Sequence, residues 1–369
     1  MATKREELSK HTPFEQWVID EGLKVIQQQL IPDIRTVDLE PWERTGCNAA
    51  LLDLVPSAAK EGSRLVNQGT TRYVCDIPPG GTYRAERHMY EEMFYVVSGR
   101  GATTVWYEGS PKHTFEWQEE SVFCIPLNAW HELYNGSGDE PVRLYAAFNA
   151  PTVFNLYASS EFIFNSPATF LERFDPDDET YFSGSRSVQY GTRLLQTNFI
   201  PSVRSLGLER WEERGPGSNM MVMMANGHFL CHLSEFPPGT YKKAHTADRS
   251  RTRAGLTSEV AYLFLSGEGY DLQWPGGVEP GPGVPWERLD YGVGSLLTPG
   301  TGFHQHFNAS DEAIRYVVLR FGSPQYMGRG GGGMPRQIEF EDEDPAIREH
   351  FEEEVRRRGL TSDMGAYTG

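Results

Sequence analysis

The sequence predicts a mainly β protein made of two similar β-barrels in tandem, with short helices at its two ends. Its length of 369 residues suits about two domains, each large enough to bury its own core. One order of turns occurs twice along the chain. Between these turns lie short runs of β-branched and aromatic residues, a rhythm typical of antiparallel barrels and sandwiches.

The repeated turns share one order: a Pro-Pro-Gly turn, a Ser-Gly turn, and then a proline followed by a histidine and an asparagine. In the first copy the marker residues are Pro79, Gly99, Pro126, His131 and Asn135. In the second copy they are Pro238, Gly267, Pro299, His304 and Asn308. The spacing between the copies increases along the chain, so the second copy carries insertions, which we expect to lie in loops.

The repeat and its flanks divide the chain into five predicted segments. They are an N-terminal helix and arm at 1–46, a first barrel at 47–165, a connecting segment at 166–202, a second barrel at 203–325, and a glycine-rich hinge with a C-terminal helix at 326–369. The connecting segment is rich in phenylalanine and tyrosine, so we expect it to pack across the two barrels.

Both terminal segments carry helix signals. Thr12, Pro13 and Glu15 combine an N-cap, a proline at the first helical position and a capping-box glutamate. Pro345 opens a C-terminal helix with an apolar stripe formed by Ile347, Phe351 and Val355. The stripe needs a surface, either on its own barrel or on a neighbouring subunit, and we expect a homodimer.

The composition excludes several classes of protein. With 51 acidic and 34 basic residues, the net charge of -17 would repel nucleic acids and anionic membranes. No apolar run is long enough to span a membrane and no secretory signal is recognised, so we expect a cytoplasmic protein. The four cysteines lack paired spacing and are expected to be buried free thiols; they are Cys47, Cys75, Cys124 and Cys231.

Four residues of the first copy have the spacing of a metal site. Glu86 and His88 are two positions apart, so they share one face of a strand, and Glu92 follows after a short turn. His131, from a later strand, can join them at one barrel mouth. Two imidazoles and one carboxylate suit a divalent transition metal and leave positions open for substrate. We therefore predict one metal per chain, held by His88, Glu92 and His131, with Fe or Mn favoured over Ni, Cu or Zn.

The same residues resemble the motifs of the cupin superfamily, G-x5-H-x-H-x3-E-x6-G followed by G-x5-P-x-G-x2-H-x3-N. The resemblance covers roughly residues 70–150 and 230–322, so the chain looks like a bicupin with two double-stranded β-helix, or jelly-roll, barrels. Glu86 stands where the first motif has its first histidine, and Glu120 and Asn128 replace the glycines of the second motif. The resemblance implies a non-haem metal enzyme with a mononuclear site.

The second copy departs further from these motifs. His245 has the position of the first histidine, but Ala247 and Val260 stand where the second histidine and the glutamate are expected. His304 and His306 alternate on a strand, so with His245 they form a possible second site of three imidazoles. In the alternative they only line the barrel. We expect the metal in the first barrel, with the second barrel empty or weakly loaded.

Three functions from different classes fit these residues. The leading one is a non-haem dioxygenase, or another oxygenase, acting on a small organic acid or an aromatic compound. In a redox-neutral alternative, a metal-dependent decarboxylase, isomerase or lyase, Glu86 or Glu91 acts as the catalytic acid or base. A second alternative is a non-catalytic bicupin that binds a small molecule.

Two sets of charged residues have open alternatives. Glu86 is either a fourth metal ligand or the ion-pair partner of Arg84 or Arg87. Three arginines in the inserted loop of the second copy either bind a carboxylate- or phosphate-bearing substrate or belong to a solvated surface loop; they are Arg249, Arg251 and Arg253.

Overall fold

The computed structural model describes residues 10–55, 65–67, 69–246, 260–274, 278–299, 302–323 and 336–367. Within these ranges the chain is mainly β, with 25 strands and four α-helices. No helix in the same ranges is both long and apolar enough to cross a membrane.

The first twelve strands precede the connecting segment. They are β1 (Lys24–Gln28), β2 (Leu30–Ile31), β3 (Glu40–Trp42), β4 (Cys47–Leu54), β5 (Thr71–Ile77), β6 (Thr82–Glu86), β7 (Glu92–Ser98), β8 (Arg100–Trp106), β9 (His113–Gln118), β10 (Val122–Ile125), β11 (Trp130–Asn135) and β12 (Val142–Phe148).

The other strands run from the connecting segment to the end of the second copy. They are β13 (Val188–Gly191), β14 (Leu194–Gln196), β15 (Phe199–Ile200), β16 (Glu209–Arg210), β17 (Ser218–Met223), β18 (Phe229–Phe236), β19 (His245–Thr246), β20 (Tyr262–Ser266), β21 (Gly269–Gln273), β22 (Glu287–Tyr291), β23 (Leu296–Leu297), β24 (Phe303–Asn308) and β25 (Ile314–Phe321).

These strands form two jelly-roll-like barrels, each made of a large sheet and a four-stranded sheet. In the first barrel the large sheet has the order β1-β4-β5-β12-β7-β10-β15, and the small sheet is β6-β11-β8-β9. In the second barrel the large sheet is β13-β14-β17-β18-β25-β20-β23-β2, and the small sheet is β19-β24-β21-β22. The order β5-β12-β7-β10 corresponds strand by strand to β18-β25-β20-β23. The predicted tandem repeat is therefore confirmed.

Both the N-terminal arm and the connecting segment contribute strands to both barrels. In the arm, β1 pairs with β4 of the first barrel and β2 pairs with β23 of the second. In the connecting segment, β14 pairs with β17 of the second barrel and β15 pairs with β10 of the first. Each large sheet is thus completed by strands that lie far away in sequence.

The large sheets also share a core between the barrels. Along β5, Tyr73 faces the interior of the first barrel while Val74 joins the shared core, and Leu233 of β18 joins it from the second barrel. All four cysteines are buried free thiols, as predicted. Two lie in the first barrel's interior and two in the shared core; they are Cys47 and Cys75, and Cys124 and Cys231.

Three short helices cover one end of the first barrel. The predicted α1 (Pro13–Asp20) begins with the expected capping box between Thr12 and Glu15. The sequence does not predict α2 (Ala150–Tyr157) or α3 (Ser160–Asn165), because neither begins with a capping box such as that of α1.

The C-terminal helix α4 (Pro345–Arg357) packs on its own chain. Phe351 lies with its ring centroid 5.0 Å from Tyr241 and 5.8 Å from Phe307, both of the second barrel. Ile347 and Val355 are buried in the same cluster. Because this surface covers the apolar stripe, the helix gives no support to a homodimer, which stays a prediction based on the resemblance. The predicted hinge after residue 326 lies mostly outside the described residues.

Two residues that replace glycines of the motif keep the glycine backbone conformation. Asn128 has φ 55° and Glu120 has φ 70°. Asparagine tolerates this left-handed region, whereas glutamate adopts it at a cost of roughly 1–2 kcal/mol. Glu120 accepts hydrogen bonds from Ser202, at 3.1 Å, and Arg204, at 2.5 Å, so contacts with the connecting segment offset the strain.

Candidate metal centre

Four predicted site residues meet inside the first barrel. Glu86 ends β6, Glu92 begins β7, His88 lies in the turn between these strands, and His131 lies on β11. The pairing of β6 with β11 places His131 opposite Glu86. All four are buried, with exposures of 8% for Glu86, 2% for His88, 1% for Glu92 and 0% for His131. All four side chains thus point inward, as predicted, although His88 lies in the turn rather than on a strand.

The potential ligand atoms of these residues converge. Nε2 of His88 lies 3.3 Å from Oε2 of Glu92, and Nε2 of His131 lies 3.9 Å from the same oxygen. One potential ligand atom each from Glu86, His88 and His131 also lie within 4.8 Å of one another. These separations leave a point within reach of His88, Glu92 and His131, and Glu86 lies beside the two imidazoles.

Backbone carbonyl groups orient both imidazoles. Nδ1 of His88 lies 2.8 Å from the carbonyl oxygen of Tyr90, and Nδ1 of His131 lies 3.3 Å from that of Ala129. A carbonyl oxygen only accepts hydrogen bonds, so each Nδ1 carries the proton. The lone pair of each imidazole is therefore on Nε2, the atom that faces the common point.

Two buried tyrosines hold the carboxylates in the same manner. The hydroxyl group of Tyr73 donates to Oε1 of Glu92 at 2.7 Å, and that of Tyr83 donates to Oε1 of Glu86 at 2.6 Å. The sequence does not single out these tyrosines, because aromatic residues in strands usually fill cores. Their contacts depend on strand pairing between distant segments, which spacing within one strand does not reveal.

Four atoms at the centre are buried and have no hydrogen-bond partner among the described residues. They are Oε2 of Glu86, Nε2 of His88, Oε2 of Glu92 and Nε2 of His131. Buried polar atoms normally have a partner, and leaving one unsatisfied costs about 1–3 kcal/mol. A divalent cation between the two Nε2 atoms and Oε2 of Glu92 would accept a lone pair from each, so these three residues fit a metal ion.

Burial sets the protonation of the four side chains. It lowers the pKa of His88 and of His131 to about 4, so both imidazoles are neutral at pH 7. It also raises the pKa of Glu92 to about 7 and raises that of Glu86. The nearest guanidinium to Glu86 belongs to Arg44, with Nη1 4.0 Å from Oε2; the structure shows no ion pair of Glu86 with Arg84 or Arg87.

Glu91 does not join this cluster. Its carboxylate forms an ion pair with Arg173 and contacts His228, whose ring Nδ1 lies 3.0 Å and backbone nitrogen 2.8 Å from its two oxygens. Burial would raise the pKa of Glu91, but the hydrogen bond from His228 and the charge of Arg173 outweigh it and lower this pKa. Glu91 therefore links the first barrel to a turn of the second.

The three histidines of the possible second site also lie together, inside the second barrel. His245 on β19 pairs with His304 on β24, and His306 lies two positions further along β24. One potential ligand atom of each lies within 4.8 Å of the others. His306 Nδ1 lies 2.6 Å from a carboxylate oxygen of Asp271, and His304 Nε2 lies 3.0 Å from the hydroxyl oxygen of Tyr262. The sequence does not single out Asp271 or Tyr262.

The three arginines predicted as possible substrate-binding residues lie outside the described residues, as does the position at which the second copy lacks its second motif histidine. These residues are Arg249, Arg251, Arg253 and Ala247.

Comparison with known proteins finds a family-model match within the first barrel and a similar fold over most of the chain. Residues 73–148 match the family model of the cupin domain. An arginine-to-alanine variant of the oxalate decarboxylase of Bacillus subtilis is 10% identical, with 93% of this chain and 87% of that chain covered and a TM-score of 0.51. A second oxalate decarboxylase structure is 12% identical, with the same coverage and a TM-score of 0.50. No curated protein matches the sequence. At these identities the likeness to solved structures concerns the fold.

Proposed function

We propose that this chain, which has a bicupin-like fold and matches the cupin domain over residues 73–148, is a metal-dependent enzyme that decarboxylates a small organic acid without net oxidation. The reaction takes place at the first-barrel cluster. This redox-neutral proposal replaces the oxygenase prediction that the sequence favours, and its support is that two solved structures with a similar fold are oxalate decarboxylases.

One observation carries the proposal: the buried, unpartnered Nε2 atoms of His88 and His131 lie 3.3 and 3.9 Å from the equally unpartnered Oε2 of Glu92. His88, Glu92 and His131 are the metal ligands, and each is oriented by a neighbour through its other polar atom. Two imidazoles with nearby carboxylates form a comparatively hard donor set, which favours Mn or Fe. When bound, the ion supplies a Lewis acid that holds a substrate carboxylate and stabilises the charge that develops as carbon dioxide leaves.

Decarboxylation replaces a carbon–carbon bond by a carbon–hydrogen bond, so the site has to deliver one proton. Glu86 is the proton donor in this proposal. Burial raises its pKa and so favours the protonated carboxyl group. Tyr83 donates to Oε1, which leaves the proton on Oε2, the oxygen that faces the ligand atoms. Arg44, 4.0 Å from Oε2, stabilises the carboxylate that remains after proton transfer.

The experiment measures carbon dioxide release and oxygen uptake together, with the Mn-loaded protein and a panel of small mono- and dicarboxylic acids that includes oxalate. The expected result is carbon dioxide without stoichiometric oxygen uptake. Oxygen consumption equal to product formation would instead support an oxygenase. A protein that turns over none of these acids and retains no metal would be a binding protein.

Glu86→Gln separates proton transfer from metal binding. It is expected to keep the metal and to lower kcat by about 10²–10⁴-fold, the usual contribution of a positioned acid. Glu132→Gln is a matched control, because Glu132 accepts a hydrogen bond from Tyr134 at 2.6 Å on the outward face of β11. This control is expected to retain both metal and activity.

A further inference from the structure

The second barrel has a polar interior at positions where the first barrel is largely apolar or aromatic. Strand pairing makes the equivalence explicit, because Ser234 lies between Asn219 and Tyr316 in its sheet just as Cys75 lies between Ala49 and Leu144 in the first. The same alignment of β5 with β18 replaces Tyr73 by His232. Lys242, whose backbone N–H donates to His306 of β24, takes the place of Tyr83, which pairs with Leu133 of β11.

Lys242 is the most informative of these replacements. It is 2% exposed, and its Nζ lies 3.5 Å from the hydroxyl oxygen of Ser234. Among the described residues no carboxylate forms an ion pair with it. A buried amine without a counter-charge is unfavourable, so an anion would stabilise its charged form.

Two more nitrogen atoms near Lys242 are buried without a hydrogen-bond partner among the described residues. One is Nδ2 of Asn219, a fully buried residue whose Oδ1 already accepts from Arg193 at 2.9 Å. The other is Nε2 of His232, which shares the inward face of β18 with Ser234. An amide nitrogen is a donor only, so its missing partner is an acceptor.

The local charge also favours an anion. Burial and the charges of surrounding cations lower the pKa of His232 well below its usual value. Those cations are Arg320, Arg214, Lys242 and Arg193. The protein has a net charge of -17, so this concentration of positive charge is a local exception.

We propose that the polar interior patch of the second barrel, formed by Asn219, His232, Ser234 and Lys242, binds a small oxyanion with carboxylate or phosphate oxygens. The ammonium group of Lys242 and the amide group of Asn219 donate to the ligand's oxygens, and Ser234 positions the ammonium group. Charge-assisted hydrogen bonds of this kind are among the stronger ones in proteins. The site needs neither the metal of the first barrel nor the reaction proposed for it.

The test is calorimetric titration of the full chain, depleted of metal by chelation, with malonate and separately with inorganic phosphate. Metal depletion removes any binding of malonate at the first-barrel cluster. We expect one equivalent of one of these anions to bind, and the tighter of the two identifies the ligand class. Binding of neither anion would overturn the proposal.

Lys242→Met is expected to weaken binding by at least about tenfold, the contribution of a hydrogen bond to a charged group. Lys243→Met is the matched control, because Lys243 pairs with Glu339 at 2.5 Å on the outer surface, and it is expected to bind like the wild type. Wild-type affinity in Lys242→Met would contradict the proposal. If that variant does not fold, Asn219→Asp places a negative charge in the patch and is expected to abolish anion binding, and retained binding would be equally contradictory.

Discussion

Replacement of Tyr73 by phenylalanine tests whether the tyrosine hydroxyl group orients a metal ligand. Tyr73 is 1% exposed, and its hydroxyl oxygen lies 2.7 Å from Oε1 of Glu92, so phenylalanine keeps the ring and deletes only the donor. A hydrogen bond to a charged group contributes about 1.5–3 kcal/mol, which corresponds to roughly 10–150-fold in affinity. Partners of metal ligands typically contribute roughly 10–100-fold, within that range.

The assay is titration of the metal-depleted protein with Mn²⁺, followed by calorimetry and by the electron paramagnetic resonance signal of the free ion. Tyr73→Phe is expected to weaken binding at the first-barrel cluster by about 30-fold. Tyr241→Phe is the control, because it removes the same kind of contact, 2.7 Å to Glu343, from the second barrel. If Tyr73→Phe binds Mn²⁺ like the wild type while remaining folded, Glu92 is not held as a ligand by this contact and the reasoning is wrong.

Three further predictions concern the same cluster and its surroundings. His131→Ala is expected to empty the protein of tightly bound metal, whereas His304→Ala leaves about one ion per chain by elemental analysis; the opposite result moves the site to the second barrel. Glu92 has a pKa of about 7 without metal and has to lose its proton to bind a metal ion. The Mn²⁺ affinity in calorimetric titrations should therefore fall about tenfold per pH unit as the pH decreases from 7 to 5. An affinity that does not change with pH would exclude Glu92 as a ligand. Glu91→Gln breaks the ion pair with Arg173 and should therefore lower the free energy of unfolding by about 2 kcal/mol, with metal affinity unchanged. Lost activity at unchanged thermal stability would instead support the catalytic role predicted from the sequence.

The motif spacing and its resemblance to the cupin motifs predicted that His88, Glu92 and His131 would be brought together. Glu86 and His88 are two positions apart and both point inward, Glu86 from the end of β6 and His88 from the turn after it. The repeated turn at Gly99, with φ 91°, fixes where β7 ends. These are local properties, so one sequence contains them. The same holds for the capping box of α1.

The neighbours of the cluster depend on pairing between distant strands and were not predictable in this way. Tyr73 reaches Glu92 because β5 and β7 flank β12 in one sheet, and Glu91 reaches His228 only because the two barrels pack together. The C-terminal helix shows the same limit. Its stripe was evident, but which surface covers it depends on where Tyr241 and Phe307 lie in the folded second barrel.

The crossing of the N-terminal arm has a consequence for how the chain folds as it leaves the ribosome. Leu30 and Ile31 pair with Leu297 and Leu296. One of the first strands to be synthesised therefore has no pairing partner until one of the last strands has emerged. Until then, the face of the first barrel that carries Val74 remains uncovered, because its apolar partners come from the second half. Nascent chains with such a face are prone to self-association. The two halves are thus expected to fold as one cooperative unit. Synthesis of the first half alone is expected to leave an exposed apolar surface that promotes aggregation.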